Sequence, residues 1–218
     1  MALSVNRVPD DQLSIFDLLE FLYENVGAPT QSDWHSFFSH YHLSFDVPVG
    51  QRAFIEAVNR LFARNGIEIE MTSEGHIKRL LSDHGAQLIE SAVFHTGDAE
   101  CDRLLEYART AVTNPSLERR RDGLEKLWDA FERMKTLEPG KDKHATAEAM
   151  LDRVVTGPVF RGFVGAEAKS LTDAGNALRI RHSETTQEIL QNADEVDYLY
   201  IRMFGLVRLL LRSAGRGD

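Results

Sequence analysis

Two arginines, a histidine and a glutamate stand within six residues of one another in "LRIRHSE": Arg179, Arg181, His182 and Glu184. An imidazole can take a proton from a ribose hydroxyl or return one to a leaving oxygen near neutral pH. A guanidinium can grip a phosphate through paired, charge-assisted hydrogen bonds and hold the charge that develops on it. If the preceding helix runs through the segment, Arg179 and His182 share a face while Arg181 and Glu184 point elsewhere. His182 is then the candidate general acid or base, Arg179 and Arg181 the phosphate grip, and Glu184 the group that orients the imidazole or ties down an arginine. The competing reading is a salt-bridge cluster in which the arginines pair with Glu184, Glu188 or Asp194.

Other constellations are weaker. His35, His40 and His42 cluster around Tyr41 and Asp46, and the pair His40 and His42 could present two ligands from one face of an extended strand. Trp34, Phe37, Phe38, Tyr41, Leu43 and Phe45 surround them, so a partly buried aromatic cluster is the better expectation. Glu125, Asp129 and Glu132 share a helical face, and Arg121, Lys126 and Arg133 interleave with them; this reads as a solvated, salt-bridged surface. Cys101, the one cysteine, falls on an apolar stripe and reads as a buried structural thiol. No phosphate-binding glycine loop, dinucleotide fingerprint, zinc-binding histidine pair or serine elbow is present.

The elements that must carry these residues are mostly helices. "LSIFDLLEFLYENV" places Ile15, Leu18, Leu19, Leu22 and Val26 on one helical face, ended by Gly27 and Pro29. A second helix is expected over residues 49–65, with Phe54, Val58, Leu61 and Phe62 inward. The period then falls to two: "IEIEM", "TSEG" and "HIKRL" predict a β-hairpin over 67–80. "HYHLSFDVP" is too short and too alternating to assign.

From Asp98 onward only helical periodicity appears. Cys101, Leu104, Leu105, Ala108 and Val112 form one stripe. Leu124, Leu127, Trp128, Phe131 and Met134 form another, on a helix over 117–137. Weaker patterns cover 146–155 and 160–177. The last helix, over 194–213, repeats Val196, Leu199, Met203, Leu206 and Leu210 in steps of three and four, the seam of a bundle helix. Asp194 and Asp197 have the spacing of a capping box. The expected fold is mainly α, with a helical bundle over 97–218 preceded over 1–96 by a small α+β part containing one hairpin.

With 218 residues, 43% of them hydrophobic, the chain can bury a sizeable core. The formal charge of -9 argues against indiscriminate coating of nucleic acid or anionic membrane. Residues 151–218 hold nine basic and nine acidic groups, so the deficit lies wholly in residues 1–150. A phosphate-binding surface is therefore to be sought among the C-terminal arginines: Arg161, Arg179, Arg181, Arg202, Arg208, Arg212 and Arg216. A single cysteine and a start, "MALSVNRVPDDQ", without an apolar signal core point to a cytoplasmic protein with no membrane association.

"AFIEAVNRLFARNGIEIEMTSEGHIKRL" (53–80), "GLEKLWDAFERMKTL" (123–137), "LRIRHSE" and "DYLYIRMFGLVRLLL" (197–211) together resemble the bacterial abortive-infection (Abi-like) proteins, whose C-terminal part is similar to HEPN helical-bundle domains. The resemblance implies an anti-phage or toxin-like role. It also implies a homodimer in which two copies of an arginine–histidine motif form one RNA-cutting site, with neither metal nor cofactor. The matching positions are His182 with Arg179 or Arg181, although the family's two residues stand farther apart. HEPN-related domains lacking the motif serve as dimerisation or interaction modules, and either class can act beside a partner protein of a defence or toxin–antitoxin system.

Overall fold

A computed structural model describes residues 10–81, 83–137, 142–154, 157–178, 180 and 188–217. Eight helices and four strands occur among them, so the chain is mainly helical. It divides into two compact units, Val8–Leu80 and Leu81–Asp218.

The first unit contains helix α1 (Asp10–Asn25), strands β1 (Ala28–His35) and β2 (His40–Asp46), helix α2 (Val47–Arg64), and strands β3 (Ile69–Met71) and β4 (Ile77–Arg79). It has two separate antiparallel hairpins, β1–β2 and β3–β4, where the sequence predicts one. The β3–β4 hairpin is the expected one. Its turn uses Gly75 at φ 86, a region closed to most side chains. Asn59 of α2 holds this hairpin by bonding both backbone groups of Met71, receiving its N–H at 2.7 Å and donating to its carbonyl at 2.9 Å. From α1, Glu20 accepts the Ile77 N–H at 2.7 Å and Tyr23 donates to the Ser73 carbonyl at 3.1 Å.

These bonds select which face of α1 is buried. Phe16 joins Val58, Phe62, Ile69, Met71 and Ile77 in a small core, with Leu13, Leu19 and Tyr23 packed against it. Of the expected stripe, Ile15, Leu18 and Leu22 instead face solvent. Helix α1 is apolar on two sides, so periodicity alone cannot choose; the glutamate and tyrosine that reach the hairpin lie on the Phe16 side. Leu61 of α2, expected inward, is also exposed.

The second unit is all helical among the described residues: α3 (Asp83–Glu90), α4 (Ala99–Ala111), α5 (Leu117–Thr136), α6 (Lys143–Asp152), α7 (Pro158–Ala177) and α8 (Ala193–Ser213). Helix α3 occupies a stretch to which periodicity assigned no element, and it belongs to this unit. The two units divide at Leu80/Leu81. Polar side chains start the helices: Asp98, Ser116 and Asp142 each accept a backbone N–H of the first turn. At α8 the capping box is formed by Asn192 and Glu195, not by Asp194 and Asp197. Asp197 is engaged elsewhere.

Helix α5 is central, with α4, α6 and α8 packed on it. The predicted stripes of α4, α5 and α8 are all buried, and Tyr200, Phe204, Val207 and Leu211 widen the α8 seam as the sequence indicates. Trp128 is fully buried and donates its indole N–H to the Leu171 carbonyl of α7 at 3.1 Å. Tyr200 donates to the Ala108 carbonyl of α4 at 2.9 Å, and burial pushes its phenol well above the ordinary tyrosine range. Arg120, only 3% exposed, donates to both carboxylate oxygens of Asp197 at 2.8 and 3.0 Å, joining α5 to α8.

Candidate functional site

Arg179, Arg181, His182 and Glu184 lie outside the described residues. Their neighbours on both sides are described. Helix α7 ends at Ala177 with Leu178 as its C-cap, whose N–H donates to the Ala174 carbonyl. Ile180 and Leu190 are both buried in the helical core. Leu178, Ile180, Ile189 and Leu190 share a small pocket of about 80 Å³ with Arg121, Asp122, Leu124 and Glu125 of α5. Ile180 and Leu190 therefore meet at one place on the bundle, against the N-terminal half of α5. Both are apolar, and charged α5 residues stand beside them.

The other C-terminal arginines are largely occupied. Arg161 pairs with Glu148 and Asp152 at 2.5 and 2.7 Å. Arg202 forms a forked pair with Glu167 at 2.8 and 2.9 Å. Arg208 donates to the Leu88 carbonyl and to Ser91. These three side chains stitch helices together, so they do not form the open phosphate surface that the charge distribution suggests.

The acidic face of α5 is salt-bridged as expected. Lys126 meets Glu125 at 2.8 Å and Asp129 at 3.4 Å, and Lys135 meets Glu132. Cys101 is fully buried, and burial pushes its thiol up to about 11.

The histidines behave differently. In the β1–β2 hairpin His35 lies opposite His40, and Trp34 opposite Tyr41, with a bulge between Gln31 and Trp34. Side chains alternate across a strand. His35, His40 and His42 therefore share one face, where His35 and His40 stack on each other and on Phe38 and meet His42 edge to face, with centroids 4.9 to 5.9 Å apart. The opposite face carries Trp34, Tyr41, Leu43 and Phe45.

The aromatic cluster exists, but it is not the partly buried one expected. Every residue of β2 is exposed, and all of β1 except its two ends. The reason is that the small core of this unit is closed by α1, α2 and β3–β4 without using the β1–β2 sheet. No group of three or more His, Cys, Asp or Glu among the described residues is placed to hold a metal ion.

Two features had weaker signals in the sequence. The alternation of Tyr41, Leu43 and Phe45 with His40, His42 and Ser44 marks a strand, but nothing in it tells that both faces stay open. A cleft of about 440 Å³ between α5, α6 and α7 has Phe131, Met150 and Leu151 along its floor and Lys135, His144 and Lys169 at its edge. The Lys135 ammonium lies 4.8 Å above the Phe131 ring, and Lys169 is paired with Asp173 at 2.6 Å.

No family model, curated protein or solved structure matches this chain. No helix among the described residues is long and apolar enough to cross a membrane.

Proposed function

We propose that the chain is a cytoplasmic, HEPN-like defence or toxin-like protein: a metal-independent endoribonuclease in which His182 moves the proton, Arg179 and Arg181 hold the scissile phosphate, and Glu184 positions a neighbour. The ribose 2′-hydroxyl attacks the adjacent phosphorus, giving a cyclic phosphate and a free 5′-hydroxyl, and two copies supply the composite site. The observation that supports it is the pinning of Ile180 and Leu190 against α5. Ile180 and Leu190 are buried together in one pocket of a helical bundle, and a reactive site needs rigid elements beside it.

A second reading, the non-catalytic dimerisation or interaction module, is favoured by the uncovered aromatic hairpin and by the carboxylate pairing of Arg161 and Arg202. Purified protein incubated with total bacterial RNA in EDTA separates the two. The nuclease reading expects fragments ending in cyclic phosphate, lost by about 100- to 10,000-fold in His182→Ala, the usual range for a general acid or base. Intact RNA with the wild-type protein, or equal cutting by the variant, refutes it.

A further inference from the structure

The β1–β2 hairpin is an uncovered apolar feature of the N-terminal unit, and we infer that it is an association arm that packs face to face on the same hairpin of a second copy of this chain. Two-stranded sheets are marginal in water unless a face is covered. Here nothing within the unit covers either face: Trp34 is 52% exposed, Phe37 83%, Phe38 63%, Tyr41 47%, Leu43 64% and Phe45 63%. Large side chains of this kind carry about 150–250 Å² each, so the four that share one face, Trp34, Tyr41, Leu43 and Phe45, together expose on the order of 450 Å². A standard interface buries about 800 Å² per partner, so this face supplies roughly half of one, the size of a weak, concentration-dependent dimer.

Three further observations select a second copy as the occupant. Between Ala28 and Phe45 the only charged side chain is Asp33, so two copies of a protein of charge -9 meet there with little repulsion, and the patch offers no charge pattern for a distinct partner to read. An isologous two-fold contact requires only that a patch suit itself. The face bearing Trp34, Tyr41, Leu43 and Phe45 does so as two sheets stacked about 10 Å apart. The arm is also pre-ordered: Trp34 and Tyr41 meet edge to face at 4.8 Å across the strands, and the histidine cluster braces the opposite face. Little ordering cost remains for association. The acidic net charge disfavours anionic lipid or nucleic acid as the covering surface.

This inference stands whether or not the RNA-cutting reading holds, because it uses none of Arg179, Arg181, His182 or Glu184. The full chain is examined by size exclusion with light scattering over a range of concentrations, beside Leu43→Asp and Leu43→Cys, with circular dichroism as the check on folding. The expected result is a particle of twice the 24.6 kDa chain mass, a dissociation constant raised at least 100-fold by Leu43→Asp, and a covalent dimer of Leu43→Cys under mild oxidation. Cys101, buried, contributes no background. A monomer at all concentrations, or a dimer indifferent to Leu43→Asp, overturns the inference. So does binding of the wild type, but not of Leu43→Asp, to phosphatidylcholine vesicles, which would give the arm to lipid.

Discussion

Replacing glycine by alanine at two positions of the helical unit should change stability in opposite directions. At Gly205 in α8, an added Cβ meets no atom within 4 Å. At Gly175 in α7, it would lie 2.1 Å from Nε1 of Trp128, a fully buried indole bonded to the Leu171 carbonyl. Both substitutions gain about 1 kcal/mol of helix propensity. Only Gly175→Ala also forces a rigid ring to move, at about 1–3 kcal/mol for overpacking, and strains the indole hydrogen bond, worth about 1 kcal/mol. The net expectation is about 1 kcal/mol of stabilisation for Gly205→Ala and about 1–3 kcal/mol of destabilisation for Gly175→Ala. For a domain of this size these correspond to a rise of about 3 °C and a fall of about 3–10 °C in Tm by calorimetry. A Gly175→Ala protein as stable as Gly205→Ala would refute the packing of α7 on Trp128.

Other consequences can be checked on the same protein. Asp197→Ala leaves Arg120 buried without its carboxylate and should cost about 3–5 kcal/mol by urea denaturation, whereas Arg120→Met with Asp197→Leu should come close to neutral. Asp98 caps α4 and forms a forked pair with Arg133, and these bonds, the arginine's foremost, lower its carboxyl from 3.8 to about 2. A lowered folded-state value gives stability that is present above about pH 4 and is lost as the pH falls through about 2; the urea midpoints of the wild type and Asp98→Asn should therefore converge across that window. Cys101 should resist an aromatic disulfide reagent in the native protein and react fully in urea, as its burial and raised thiol value require.

The helical unit was legible because each of its main helices has one apolar stripe and one place to bury it. The α4, α5 and α8 stripes predicted the core residue by residue. The first unit was less legible because its elements offer more apolar surface than its core uses. Helix α1 has two candidate faces, and the choice depends on Glu20 and Tyr23 reaching a hairpin 57 and 50 residues away. Strand β2 alternates, but alternation presupposes one covered face, and here both are open. The α8 cap was displaced because Asp197, which fits a capping pattern, is bound by Arg120 from a helix 77 residues earlier. At the candidate site, Arg179, Arg181, His182 and Glu184 were chosen by chemistry alone; what the fold adds is the pair of anchors, Ile180 and Leu190, which periodicity did not mark.

The proposed function is tested most directly in living bacteria. Induced expression of the wild type, His182→Ala and Arg179→Ala/Arg181→Ala at matched protein levels, followed by growth curves and inspection of total RNA, reads out the segment's chemistry. Growth arrest with fragmented RNA in the wild type alone is the predicted result. Three cultures that grow alike with intact RNA would contradict it.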